Sequence, residues 1–321
     1  MVIQANAVFE GGGVKGIALV GALIVAEAHD YRWAHVAGTS AGAIIASLVA
    51  AGYTAPEIRT IIENLDYNKF RDESVINRIP VVGPVVNFVL KKGIYEGRFL
   101  ENWIKRRLAA KGVRTFGDLR SPPGDTDFTY RLMIVASDIS RGRMLVLPED
   151  LKEYGIDPDK FEVARAVRMS TSIPFFFEPV ALKSRTGQGE QGSYIVDGGI
   201  LSNFPLWLFD QVENPSHPTI GFRLMDPEEG RPHRITGPLT MLEALFATMM
   251  EAHDARSLTD KNAARTICVP SLGVRTTDFD LPRDRSLALQ GSGMKAATEF
   301  FASWNPQLYF QRFVPSDRAM K

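Results

Sequence analysis

The first fifty residues repeat one order: a short apolar run, a glycine-rich turn, then a longer apolar run. Ala5 to Phe9 has the length of a strand, and Gly11-Gly12-Gly13-Val14-Lys15-Gly16 follows it. Ile17 to Ala28 is apolar on most sides, which predicts a buried helix. Trp33 to Ala37 predicts a second strand and Gly38 to Gly42 a tight turn. Ala43 to Ala51 then predicts a second apolar helix. Thr54-Ala55-Pro56-Glu57 combines a capping hydroxyl, an early proline and a first-turn acid, so a third helix is expected over Ile58 to Leu65.

Beyond it, Asp66 to Gly97 is broken by Pro80, Gly83, Pro84 and Gly93. Phe99, Leu100, Trp103, Ile104 and Leu108 fall on one helical face, predicting an amphipathic helix from Phe99 to Lys111. Strands are expected at Tyr130 to Ala136 and Arg143 to Leu147, around a turn at Ser140 to Gly142. Ser193 to Val196, Thr219 to Leu224 and Thr266 to Val269 complete the predicted strands. Helices are expected at Phe161 to Met169, Leu239 to Leu258 and Ser286 to Trp304, with a frayed tail beyond Pro315. Strands separated by helices predict an α/β protein with a central, mostly parallel sheet. No repeat or long linker divides the chain, and Lys183 to Gly192 reads as a surface loop. A single domain over residues 1–321 is the expectation.

Composition narrows the function classes. The chain has 321 residues, 45% hydrophobic and 23% charged, which excludes wholesale disorder. Thirty-seven basic residues balance thirty-seven acidic ones, so a globally basic nucleic-acid binder is excluded and no nucleic-acid partner is expected. Cys268 is the one cysteine, which rules out an internal disulfide and a zinc site built of thiolates. Its setting reads as a buried strand. The N-terminus lacks a basic n-region, and the apolar stretches Ile17 to Ala26, Ala41 to Gly52 and Ile79 to Leu90 are shorter than the ~18–20 residues that span a bilayer. A cytoplasmic chain without signal peptide or membrane helix is expected. Ile79 to Leu90 beside Lys91 and Lys92 fits peripheral contact with a lipid surface, and equally core packing beside a solvated helix face.

Two turns carry candidate chemistry. The glycine cluster satisfies Gly-x-Gly-x-x-Gly, yet no acid follows the second strand to hold a ribose. It is no Walker loop either, because Lys15 precedes the last glycine and Ile17 stands where a hydroxyl is needed. What remains is bare N–H groups at a helix start, suited to a phosphate or an oxyanion, or simply a tight turn. Gly38-Thr39-Ser40-Ala41-Gly42 is a Gly-x-Ser-x-Gly turn between strand and helix, which exposes a serine nucleophile. None of His29, His35, His217, His233 and His253 sits in a catalytic motif, so a Ser–His–Asp arrangement using one of the last three is the weaker mechanism. Tyr194-Ile195-Val196-Asp197-Gly198-Gly199 ends a strand on an acid.

The glycine cluster, the serine turn and Asp-Gly-Gly, in that order, resemble the patatin-like phospholipase family. Asp197 to Pro205 and Met169 to Phe176 also look like that family, and the resemblance covers about Ala7 to Leu208. It implies a three-layer α/β/α fold and a serine lipid acyl hydrolase that pairs Ser with Asp and uses no histidine, cofactor or metal. Ser40 is then the nucleophile and Asp197 its base. Gly12 and Gly13 supply the oxyanion hole, with Gly11 shaping the turn. Lys15 helps orient that loop, Gly38, Gly42, Gly198 and Gly199 permit the turns, and Asn203 and Pro205 brace Asp197. Asp138 is the rival acid, read as a turn residue. The substrate implied is a phospholipid or another lipid ester. An acyltransferase with the same dyad and a non-catalytic lipid-binding module are the alternatives.

Overall fold

A computed structural model of the chain describes residues 2–65, 93–183, 192–226, 235–237, 240–241, 244–250, 260–276, 278 and 280–313. Ile79 to Leu90, Lys91, Lys92, His233, His253, the tail beyond Pro315 and most of the Lys183 to Gly192 loop lie outside these residues.

Strands β1 (Ile3–Phe9), β2 (Tyr31–Thr39), β4 (Leu132–Asp138), β9 (Thr219–Met225) and β10 (Thr266–Pro270) form the parallel part of one sheet, in the order β10-β9-β1-β2-β4. The antiparallel part is β5 (Arg143–Leu147), β7 (Val180–Lys183) and β8 (Gly192–Asp197). A separate parallel pair joins β3 (Gly93–Tyr95) to β6 (Phe175–Phe177). Sequence pattern predicted neither β3, β6 nor β7, because three or four residues show no period to read.

Side chains alternate across the sheet, and each face buries its own core. Ala7, Phe9, Val36, Leu132 and Ile134 face the larger core, with the helices. Val8, Ala37, Met133 and Val135 face the other, packed against Phe204, Leu206, Leu208 and Phe209. The layers are therefore helices, sheet, and a second layer that includes the 3-10 segment Leu206–Gln211. Helix α1 (Gly16–Ala28) is mostly buried, with nine of its 13 residues inside, as its apolar surface requires. It crosses α7 (Arg283–Ser303) closely, because Gly21 lies against the Gln290 carbonyl and Gly293 against that of Ala18. Helix α2 (Ala41–Ala50) begins two residues earlier than its pattern suggested, directly after Ser40. Helix α3 (Ala55–Glu63) has the expected capping box, in which Glu57 N donates to Thr54 Oγ1 and Thr54 N donates to Glu57 Oε2; such a cap is worth about 1 kcal/mol. Helices α4 (Arg98–Ala109) and α5 (Val163–Ser170) follow the predicted spans, and residues 244–250 form α6.

The register around β4 fixes the most important position in the fold. Strand β5 pairs with Ile134 to Asp138 along one edge of β4. Strand β2 pairs with Leu132 to Val135, and β8 with Ala136 to Asp138. Both must use the other edge, since each overlaps β5 along β4. They run in opposite directions and meet end to end, Thr39 beside Val135 and Asp197 beside Ala136. The residue after Thr39 is Ser40.

Candidate active site

Ser40 sits in a turn that only small neighbours allow. A Cβ at Gly38 would collide with the backbone of Gly42, and one at Gly42 with the Phe9 carbonyl. Ser40 itself has φ 53° and ψ −123°, a conformation that costs a non-glycine residue about 1–3 kcal/mol. Ser170, at the end of α5, helps hold it there. Ser40 N donates to Ser170 Oγ at 2.9 Å, and Ser170 Oγ donates to the Val135 carbonyl at 2.6 Å. Ser170 lies within the Met169 to Phe176 block, and no local pattern gives it a role.

Asp197 ends β8 and is fully buried. Its N–H donates to the Ser172 carbonyl at 2.9 Å, and its Oδ1 accepts from Gly199 N at 2.8 Å. Oδ2 has no completed hydrogen bond among the described residues, although the Ser40 hydroxyl stands near enough to favour the ionised form. Burial outweighs both favourable neighbours and pushes the carboxyl up to about 7. A carboxylate poised there is a far better base at neutral pH than one near 4. Gly198 is tight for the same reason the junction is: a Cβ there would meet the Val135 carbonyl and Thr39 Cγ2.

The glycine loop lies against the serine, since a Cβ at Gly11 would stand 3.1 Å from Ser40 Cβ. Gly11 N donates to the Asn203 carbonyl at 3.1 Å, so its N–H is already committed. Gly12 and Gly13 N–H have no acceptor among the described residues and are available to an anion. Gly13 has φ 56°, and a Cβ there would strike the Thr276 carbonyl, so this position needs glycine twice over. Lys15 Nζ lies 3.5 Å from Asp226 Oδ2, which ties the loop to the residue after β9.

Asn203 does more than its place in the Asp197 block suggests. Its carbonyl and its Nδ2 both hold Gly11, so it braces the glycine loop; its Oδ1 also lies beside Gly199. Pro205 caps the 3-10 segment Leu206–Gln211. Asp138 is a turn residue, as read: Oδ1 accepts from Ser140 N and Arg141 N, while Oδ2 accepts from Tyr154 OH at 2.6 Å. Sequence reading missed Arg168, a buried guanidinium that bonds Ser172 Oγ and donates to the Glu96 and Glu178 carbonyls at 2.8 Å each. It fixes the segment whose Ser172 carbonyl receives Asp197 N.

The histidines stand elsewhere. His35 is buried on β2, with Nδ1 3.2 Å from Asn6 Oδ1 and Nε2 3.0 Å from Asp125 Oδ2. The His217 ring centroid is 6.5 Å from that of His35. His217 precedes β9 while Ser40 follows β2, so the two occupy opposite ends of the parallel strands. Cys268 is a half-buried residue of β10, its thiol pushed up by burial. Among the described residues no three His, Cys, Asp or Glu side chains converge as metal ligands would. No helix among them is long and apolar enough to cross a membrane.

Known proteins share this framework. The model of the family described as patatin-like phospholipase matches residues 7–210. Protein YqhO of Bacillus subtilis (strain 168) is 44% identical over 300 residues, covering 93% of this chain and 98% of its own. Probable lipid hydrolase 463L of Invertebrate iridescent virus 6 is 24% identical over 202 residues, 62% of this chain and 61% of its own. Among solved structures, VipD from Legionella pneumophila has a TM-score of 0.53 at 17% identity, covering 93% of this chain and 67% of that one. The extent of the family match and the full-length likeness to YqhO lead to one assignment: the chain belongs to the patatin-like phospholipase family.

Proposed function

We propose that the protein is a lipid acyl hydrolase that cleaves carboxylic esters through an acyl-enzyme on Ser40, with Asp197 as general base. The observation that supports this most is the end-to-end meeting of β2 and β8 on β4. It brings a strained serine beside a buried carboxyl whose pKa is raised to about 7.

Ser40 Oγ attacks the ester carbonyl carbon while Asp197 takes the hydroxyl proton. The carbonyl oxygen becomes an oxyanion and accepts from Gly12 N and Gly13 N, donors already fixed by the loop. The carbon–oxygen bond to the alcohol breaks, and Asp197 returns the proton to that leaving oxygen. Water then attacks the acyl-enzyme and gives its proton to Asp197. Collapse releases the fatty acid, and the proton returns to Ser40. An acceptor alcohol in place of water would make the same intermediate an acyltransferase.

A lipid surface is the setting this reading implies. Met225 is the last residue of β9 and Leu272 lies two residues beyond β10, at the carboxyl end on which Ser40 stands, and both are exposed. Met241, Leu245 and Met249 are exposed at four-residue spacing, and Met250 next to them lies beside Gly199. The test is fatty acid release from phosphatidylcholine vesicles by wild type and Ser40→Ala, with vesicle co-sedimentation of both. The expected result is release by wild type, a loss of about 10³-fold or more in the variant, and equal sedimentation. Equal release by both proteins would refute the serine mechanism.

A further inference from the structure

We infer that the buried pair Glu10–Arg223 is a positioning device for the glycine loop, holding Gly12 and Gly13 at the height where an oxyanion forms. The inference rests on the Ser40 reading above. Glu10 is the last residue before Gly11 and is 2% exposed; Arg223, on β9, is 3% exposed. Charged side chains are almost never this buried unless they are paired.

The geometry explains what the pair does. The β1–β9 backbone register ends at Phe9 opposite Phe222. Glu10 N still donates to the Phe222 carbonyl at 3.0 Å, and then the chain leaves β9 to enter the loop. From there the Glu10 side chain carries the connection. Its Oε2 accepts from Leu224 N, and its Oε1 lies 3.4 Å from Arg223 Nε. One carboxylate thus holds the neighbouring strand at two successive residues, by an ion pair with Arg223 and a hydrogen bond from Leu224 N. Leu224 in turn packs against Gly12, where its Cδ1 occupies the space a Cβ would take. On the other side, the Glu10 carbonyl lies against Gly42, in the turn that carries Ser40. Glu10 therefore links three parts: β9, the free N–H groups of the loop, and the serine turn.

Its charge gives Arg223 a second purpose. A lone carboxylate beneath the loop would repel the developing oxyanion. The guanidinium neutralises it and leaves the carboxylate's geometric hold intact. Neither side chain needs to touch substrate.

The measurement uses a soluble short-chain ester and an alkyl trifluoromethyl ketone, on wild type, Glu10→Ala and Glu10→Gln. The ketone forms a bond from Ser40 Oγ to its carbonyl carbon, the proton passes to Asp197, and the new oxyanion needs the loop donors. Glu10→Gln keeps the volume and an acceptor oxygen but loses the ion pair, so it serves if the alanine variant fails to fold. Removing one oxyanion donor costs about 10²–10³ in kcat; a displaced loop should cost about 10²-fold in Glu10→Ala and about tenfold in Glu10→Gln. KM should stay within about twofold in both variants, and ketone affinity should fall by the same factor as kcat. Wild-type kcat and ketone affinity in folded Glu10→Gln would overturn the inference. So would a kcat loss with unchanged ketone affinity. If wild type itself neither turns over ester nor binds the ketone, the serine reading fails, and the inference falls with it.

Discussion

The two ends of the parallel strands each hold a polar cluster containing serine and aspartate, and they are built on opposite terms. At the amino end, both ring nitrogens of His35 have partners: Asn6 on one side, Asp125 and Ser121 on the other. Asp127 there accepts from Ser216 N and Ser216 Oγ, closing the loops onto one another. Burial lowers the His35 pKa more than Asp125 raises it. At the carboxyl end, Asp197 Oδ2 has no completed hydrogen bond, Gly12 and Gly13 N–H have no acceptor among the described residues, and Ser40 carries backbone strain. A cluster whose histidine is engaged at both ring nitrogens ties loops to a sheet and stabilises a fold. One with unmet bonding capacity, held rigidly, can bind what a reaction creates. The contrast also shows why composition alone misleads: the end with the histidine is the one built like a joint.

The sharpest way to break this comparison is to spoil the unmet donors. Gly13→Ala should lower kcat about 10²-fold, because it meets both a positive φ and the Thr276 carbonyl. Circular dichroism would establish that the variant remains folded. An active, folded Gly13→Ala would mean that the loop does not serve the oxyanion. At the other end the effect should fall on stability alone. His35→Gln should leave kcat within about twofold while costing about 1–3 kcal/mol in denaturant unfolding, the usual range for a disrupted buried hydrogen bond. A folded His35→Gln that loses turnover would return histidine to the mechanism.

Much of the carboxyl end was legible in the sequence, because its motifs are local. Gly11 to Gly16, Gly38 to Gly42 and Asp197 to Gly199 each lie at a strand end, and short spacing is what strand–turn–helix geometry writes into a chain. Their supports were illegible. Ser170 reaches Ser40 across 130 residues of sequence, and the Leu224 N–H reaches Glu10 across 214. Nothing near Arg168 announces that its guanidinium will be buried between Gly97 and the Phe177 ring. Neither could the junction be read: a strand arriving antiparallel on an edge already half occupied is a property of register, which pattern does not specify. Asn203 shows the same limit, since its place in the Asp197 block gave no sign that it also bonds Gly11 across 192 residues.

The central claim is that Asp197 alone serves Ser40 as base. It is tested most directly by kcat/KM for wild type and Asp197→Asn on a soluble ester, from pH 5 to pH 9. Wild type should rise tenfold per pH unit and level off near 7, where the carboxyl ionises. Asp197→Asn should be lower by about 10³-fold or more and flat across the range. Unfolding cannot imitate that loss. The native carboxyl titrates above its unfolded value, so the folded state binds the extra proton and loses stability as pH rises from about 4 to about 7. Asparagine removes that loss, and the variant should melt no lower than wild type at pH 8. A folded Asp197→Asn enzyme with wild-type turnover and the same rise near pH 7 would contradict the account, because another group would then be taking the proton.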